Sequence, residues 1–80
     1  MNRGRRTDYR PIDCGRYSEL ELAILHRRRL HLLWCEGNVL HRQRVLPLDL
    51  ETREGEEFLH FLDQAGRRRR IRLDRIRRFQ

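Results

Sequence analysis

Tyr9-Arg10-Pro11-Ile12-Asp13-Cys14-Gly15-Arg16-Tyr17-Ser18-Glu19-Leu20-Glu21-Leu22-Ala23 is the stretch around which the chain is organised. It reads as an extended lead-in, a bend and the start of a short helix. Pro11 fixes its own φ, removes a backbone donor and pushes Arg10 toward an extended conformation. Cys14-Gly15 is the expected bend. Ser18 stands where an N-cap belongs, and Glu21 three residues on completes a capping box. Tyr17 before the cap and Leu22 at the fourth helical position have the spacing of a hydrophobic staple. The predicted helix covers Ser18 to His26. Leu20, Ala23 and Ile24 on one face require an apolar surface to lie on, because a helix this short is unstable alone in water.

Downstream of the helix the period changes from helical to alternating. Leu30 to Glu36 reads as a strand, and Glu36-Gly37-Asn38 as a tight turn. A second strand runs from about Val39 to Val45, with Arg42 and Arg44 on the face of Leu40. Pro47 is expected to bend the chain or leave Leu46 to Leu50 on an edge. A third strand covers Glu56 to Asp63. Asp63-Gln64-Ala65-Gly66 closes a hairpin, with Gly66 free to take positive φ. Arg67 to Leu73 forms a fourth strand, Asp74 breaks it, and Arg75 to Phe79 is a short last strand. The class is mainly β: one short helix, then five strands closed into a small barrel that protects its edges. Residues 9–80 are expected to be that single domain, and residues 1–8 a disordered basic arm.

Eighty residues suffice for one small core, and no apolar run is long enough to span a membrane. No apolar segment follows the charged first residues, so a cytoplasmic monomer is expected. Two Cys are too few for a disulfide scaffold, and both are expected to be buried thiols. All nineteen basic residues are Arg. The net charge of +7 is unevenly spread. Residues 1–6 carry three Arg, and residues 67–80 carry eight Arg against Asp74 alone. Between them, residues 7–66 hold eight Arg and eleven Asp or Glu, a mildly acidic body.

No catalytic constellation is present: no phosphate-cradling Gly loop and no nucleophile beside a base. Cys14, Cys35, His26, His31, His41 and His60 lack metal-ligand spacing, so neither metal nor cofactor is expected. Two binding chemistries remain. Arg68, Arg70 and Arg72 on one strand face suit RNA phosphates, or pair with Glu51, Glu54 and Glu56 of neighbouring strands. The aromatic residues that usually line an RNA-binding barrel are scarce, because Trp34, Phe58, Phe61 and Phe79 are expected in the core. The acidic body suits the opposite role, presenting carboxylates to a basic groove in a partner.

The pattern Tyr-x-Pro-Ile-x-Cys-x-x-Tyr-x-x-Leu-Glu-x-Ala, from Tyr9 to Ala23, resembles the Rho-binding antiterminator (Rof-type) family of bacteria. The likeness continues in Gly66 and in Ile71-Arg72-Leu73-Asp74-Arg75-Ile76, spanning about residues 8 to 79. The resemblance implies an Sm-like (SH3-type) barrel. It also implies a partner, the hexameric transcription terminator Rho, whose RNA-binding region such proteins obstruct, so reducing termination. By position, the matching residues are Tyr9, Asp13, Tyr17, Glu19 and Glu21. Charge alone adds Glu51 and Glu54. For each a plainer role exists, such as cap, staple or turn solvation, and Asp13 and Glu19 are the two expected to be free for a partner.

Overall fold

The computed structural model describes residues 8–80. Helix α1 (Cys14–Leu25) is followed by strands β1 (Leu30–Glu36), β2 (Val39–Arg53), β3 (Glu56–Leu62) and β4 (Arg68–Arg72). A single 3-10 turn (Leu73–Arg75) leads into β5 (Ile76–Phe79). The strands form one antiparallel sheet in the order β4-β3-β2-β1-β5. The expected class holds: one helix and five strands, four of them short, curled into a small barrel-like fold.

Curvature comes from β2. Its first half pairs with β1, from Val39 opposite Glu36 to Val45 opposite Leu30. Its second half pairs with β3, from Leu46 opposite Leu62 to Arg53 opposite Glu56, with a bulge between Pro47 and Asp49. The sequence reading ended this strand at Val45, and the strand in fact runs on to Arg53. Pro47 is tolerated because the pairing with β1 has just ended at Val45 and the bulge absorbs the irregularity. The three tight connections lie where glycine predicts them: Gly37, Gly55 and Gly66 all have positive φ.

The core follows the strand alternation. Leu30, Leu32 and Trp34 of β1 point inward with Val45, Leu59, Phe61, Ile71, Leu73 and Ile76, and α1 adds Leu20 and Ala23. Trp34 packs edge-on against Phe61, centroids 5.2 Å apart. Burying each such side chain contributes about 1.5–3 kcal/mol, which makes this cluster the main stabilising element. Phe58, expected here, is only half-buried. Both thiols also depart from expectation, Cys14 being exposed and Cys35 half-buried.

The helix begins four residues before its predicted start. Asp13, in extended backbone, is the N-cap, and its Oδ1 accepts the Arg16 N–H at 2.9 Å. Cys14 and Gly15 are therefore helical rather than a bend. Ser18 and Glu21 lie within the helix, and Leu22 is about half exposed, so neither capping box nor staple forms. Asp13 is a better acceptor placed before a longer helix, and the longer helix brings Tyr17 over the core. At the other end, the Arg28 N–H reaches Ala23 O and the Arg27 N–H reaches Ile24 O. This is a Schellman closure with Arg27, at φ 53°, in the position glycine usually fills.

Candidate functional site

The charged residues sort into three regions by what surrounds them. The first is a hub at the β4 end of the barrel. Arg72 places Nε 2.7 Å from Asp74 Oδ1 and Nη2 3.0 Å from Oδ2, a bidentate pair. Its Nη1 reaches Asp8 at 2.8 Å and Glu56 at 3.4 Å, and its guanidinium lies over the Tyr9 ring. Asp74 also accepts the Arg10 backbone N–H. The hub thus straps the segment from Asp8 to Arg10 onto the sheet. Hydrogen bonds from Arg72 to Asp74, then to Asp8, push the guanidinium's pKa up. The Arg72 hydrogen bond in turn holds the Asp8 carboxyl below the ordinary carboxylate range. The arm expected over residues 1–8 otherwise lies outside the described residues.

Of the predicted Arg face, therefore, Arg72 is committed to the fold. Arg70 stacks over Phe58, 4.4 Å from its centroid, and approaches Glu51 at 3.7 Å. Neighbouring Arg69 bridges Glu36 at 2.9 Å and the buried Asp63 at 3.3 Å. Backbone N–H groups, first that of Arg67, hold the Asp63 carboxyl low. Arg68 alone of the three predicted residues is exposed and makes no ion pair with a described residue. Glu51, one of the predicted partner contacts, is likewise engaged: His60 Nε2 lies 2.7 Å from its Oε1, and Arg70 and Arg53 stand near. The His60 hydrogen bond, ahead of those charges, lowers its pKa. Glu54 sits in the β2–β3 turn at φ 51°.

The second region is the helix face, and it is different. Glu19 and Glu21 are exposed and form no ion pair with a described residue. Tyr17, on the same helix, packs against the core and lines a cavity of about 400 Å³ with Ile12, Cys14, Ser18 and Glu57. The Tyr9 hydroxyl donates to Glu57 Oε1 at 2.8 Å. Burial raises the Tyr17 pKa, and the Glu57 and Glu21 carboxylates raise it further. Tyr9 is raised by burial, then by its bond to Glu57. Burial accounts for most of the rise in both phenols, and Glu57 is the carboxylate that acts on both of them. The structure thus brings Tyr9, Tyr17, Glu21 and Glu57 together, with Glu19 on the same helix. It leaves Glu51 and Glu54 on the β2–β3 hairpin. Asp13 is exposed, yet its carboxylate is held by the cap. Sequence reasoning missed Glu57, which only the pairing of Tyr9 across the barrel reveals.

The third region is the outer face of β5-β1-β2, where Arg42 and Arg78 flank Leu33 across the sheet. Among the described residues no group of three or more His, Cys, Asp or Glu is arranged to hold a metal, and no helix is long and apolar enough to cross a membrane.

No family model matches the chain. It is 38% identical over 71 residues to "Protein rof" of Escherichia coli K12 and, to the same extent, to that of Shigella flexneri. The match covers 89% of this chain and 80% of theirs. Among solved structures, the proteasome accessory factor B/C (PafBC) of Arthrobacter aurescens superposes with a TM-score of 0.75 at 20% identity. That likeness covers 82% of this chain but 11% of the larger protein, and it supports the fold alone.

Proposed function

The chain belongs to the Rof family, and on that premise we propose that it is a non-catalytic regulator that binds the terminator Rho and obstructs Rho's RNA-binding region. The observation that carries this reading is the helix face. Glu21 is held outward beside the Tyr9–Glu57–Tyr17 cluster and Glu19 lies on the other flank of α1, and neither meets a cation among the described residues. A groove built to hold RNA is lined with cations, and carboxylates on a rigid helix complement it in charge. They steer the encounter and set its orientation, while the half-buried phenols supply contact area with little entropy to lose. The acidic cap Asp13 belongs at the rim of that surface. Glu51 contributes least, because His60 and Arg70 already hold it.

Rho's RNA-stimulated ATPase, titrated with this protein, tests the reading. Inhibition is expected, and the double variant Glu19→Lys/Glu21→Lys is expected to abolish it with an unchanged circular dichroism spectrum. Undiminished inhibition by that variant would remove the helix face from the contact.

A further inference from the structure

We infer that the outer face of the β5-β1-β2 sheet is a binding site for single-stranded RNA, distinct from the helix face and from the Arg68–Arg72 strand. Residues opposite one another in an antiparallel pair share a face. His31 stands opposite Arg44, Leu33 opposite Arg42 on one side and Arg78 on the other, and Cys35 opposite Leu40. Gln80 exchanges both backbone hydrogen bonds with His31, at 2.9 and 3.1 Å, and completes the row. Their alternates Leu30, Leu32 and Trp34 are buried, so this set points away from the core.

The face therefore carries three exposed guanidiniums and an exposed imidazole, and no Asp or Glu side chain. Arg42, Arg44 and Arg78 form no ion pair with a described residue, unlike Arg69, Arg70 and Arg72. Strand spacing puts the Arg42 and Arg78 backbones about 10 Å apart, and Arg42 and Arg44 lie about 7 Å apart along β2. Between the Arg side chains lies an apolar floor, Leu33 half-buried and Leu40 58% exposed. A depression of about 340 Å³ opens between Arg42 and Arg78 over Leu33. That is the small end of ligand-sized cavities, room for one nucleotide rather than for a helix or a strand of a partner.

This arrangement favours RNA over an acidic protein. Forked guanidiniums match phosphates bidentately and offer planes on which unpaired bases can stack. A flat strip three strands wide supplies spaced cations without the deep socket that a protein anchor residue fills. With no Phe, Tyr or Trp on the face, recognition is by charge and stacking on Arg, hence independent of sequence and steep in salt.

The test is fluorescence anisotropy of a labelled unstructured oligouridine with the full chain and no Rho present, so its failure leaves the preceding section's reading untouched. Binding is expected, with log K falling against log salt at a slope of about −2 from three phosphates at about 0.7 each. Arg42→Glu/Arg78→Glu should weaken it at least tenfold with an unchanged circular dichroism spectrum. Arg53→Glu, an equal charge change per site at the far tip of β2, should shift it less than twofold. No binding at tens of micromolar protein would overturn the proposal. So would an equal loss in log K per replaced Arg in the two variants, which means diffuse attraction to a basic chain. Polyglutamate competing as well as unlabelled RNA would give the face to an acidic protein and likewise overturn it.

Discussion

Arg72 and the Glu19/Glu21 pair sit at opposite extremes of how this molecule uses charge. The Arg72 side chain is 14% exposed and shared among Asp74, Asp8 and Glu56, with the Tyr9 ring beneath it. The two glutamates are exposed on α1 and meet no cation among the described residues. A charge that is half-buried and multiply bonded holds the fold together, and its removal strands its partners. A solvated charge stabilises almost nothing and remains available to another molecule. The same formal charge thus has two meanings, and packing decides between them.

That contrast can be broken experimentally, most forcefully at the hub. Arg72→Ala takes the bidentate donor from Asp74 and the 2.8 Å hydrogen bond from Asp8, and so loosens the strap on the segment from Asp8 to Arg10. A loss of about 2 kcal/mol is expected from urea unfolding, the scale for hydrogen bonds to charged groups. A loss near zero would make the hub ornamental and dissolve the contrast. The pH dependence sharpens it next. Asp8, Asp63 and Glu51 have folded-state pKa values below their ordinary 3.8, 3.8 and 4.5. The unfolded chain therefore binds protons first as the pH falls. The stability these groups contribute is complete above about pH 5 and is lost through and below that range. Acid titration of unfolding should show this loss, and Arg72→Ala should flatten it by the Asp8 share. At the helix, Asp13→Ala should lose about 1 kcal/mol, the usual value for an N-cap. Ser18→Ala should lose far less, and the reverse order would restore Ser18 as the cap. Smallest of all, Glu19→Ala and Glu21→Ala should change stability by less than about 0.5 kcal/mol each in the same urea experiment, as surface substitutions do.

Much of the architecture is legible in residue order. Alternation in Leu30–Trp34 and in Leu59–Phe61 gives the inward faces, and Gly37, Gly55 and Gly66 mark the connections. The helix start was misleading because Ser18 and Glu21 have capping-box spacing, while Asp13, five residues before Ser18, caps the helix through the Arg16 N–H and brings Tyr17 onto the core. Pro47 suggested an interruption because local rules describe a strand with one partner, and β2 changes partners there. The surfaces were the least legible part. Glu51 and Glu19 look alike in a charge map, and only cross-strand register sets His60 and Arg70 against the first. The same holds for Arg78, whose position beside Leu33 depends on the last strand returning to the first.

The shared strand β2 has a dynamic consequence. Its two halves are zipped to different neighbours, yet the β3–β4 turn is tied back to the first half: the Gln64 N–H donates to Gln43 Oε1 and the Arg44 N–H to Gln64 Oε1, both at 2.9 Å. Neither hairpin can peel away without unfastening the other. Amide protons of Leu32 and Leu59, one in each ladder, should consequently exchange with solvent at the same slow rate, through a single opening of the entire barrel.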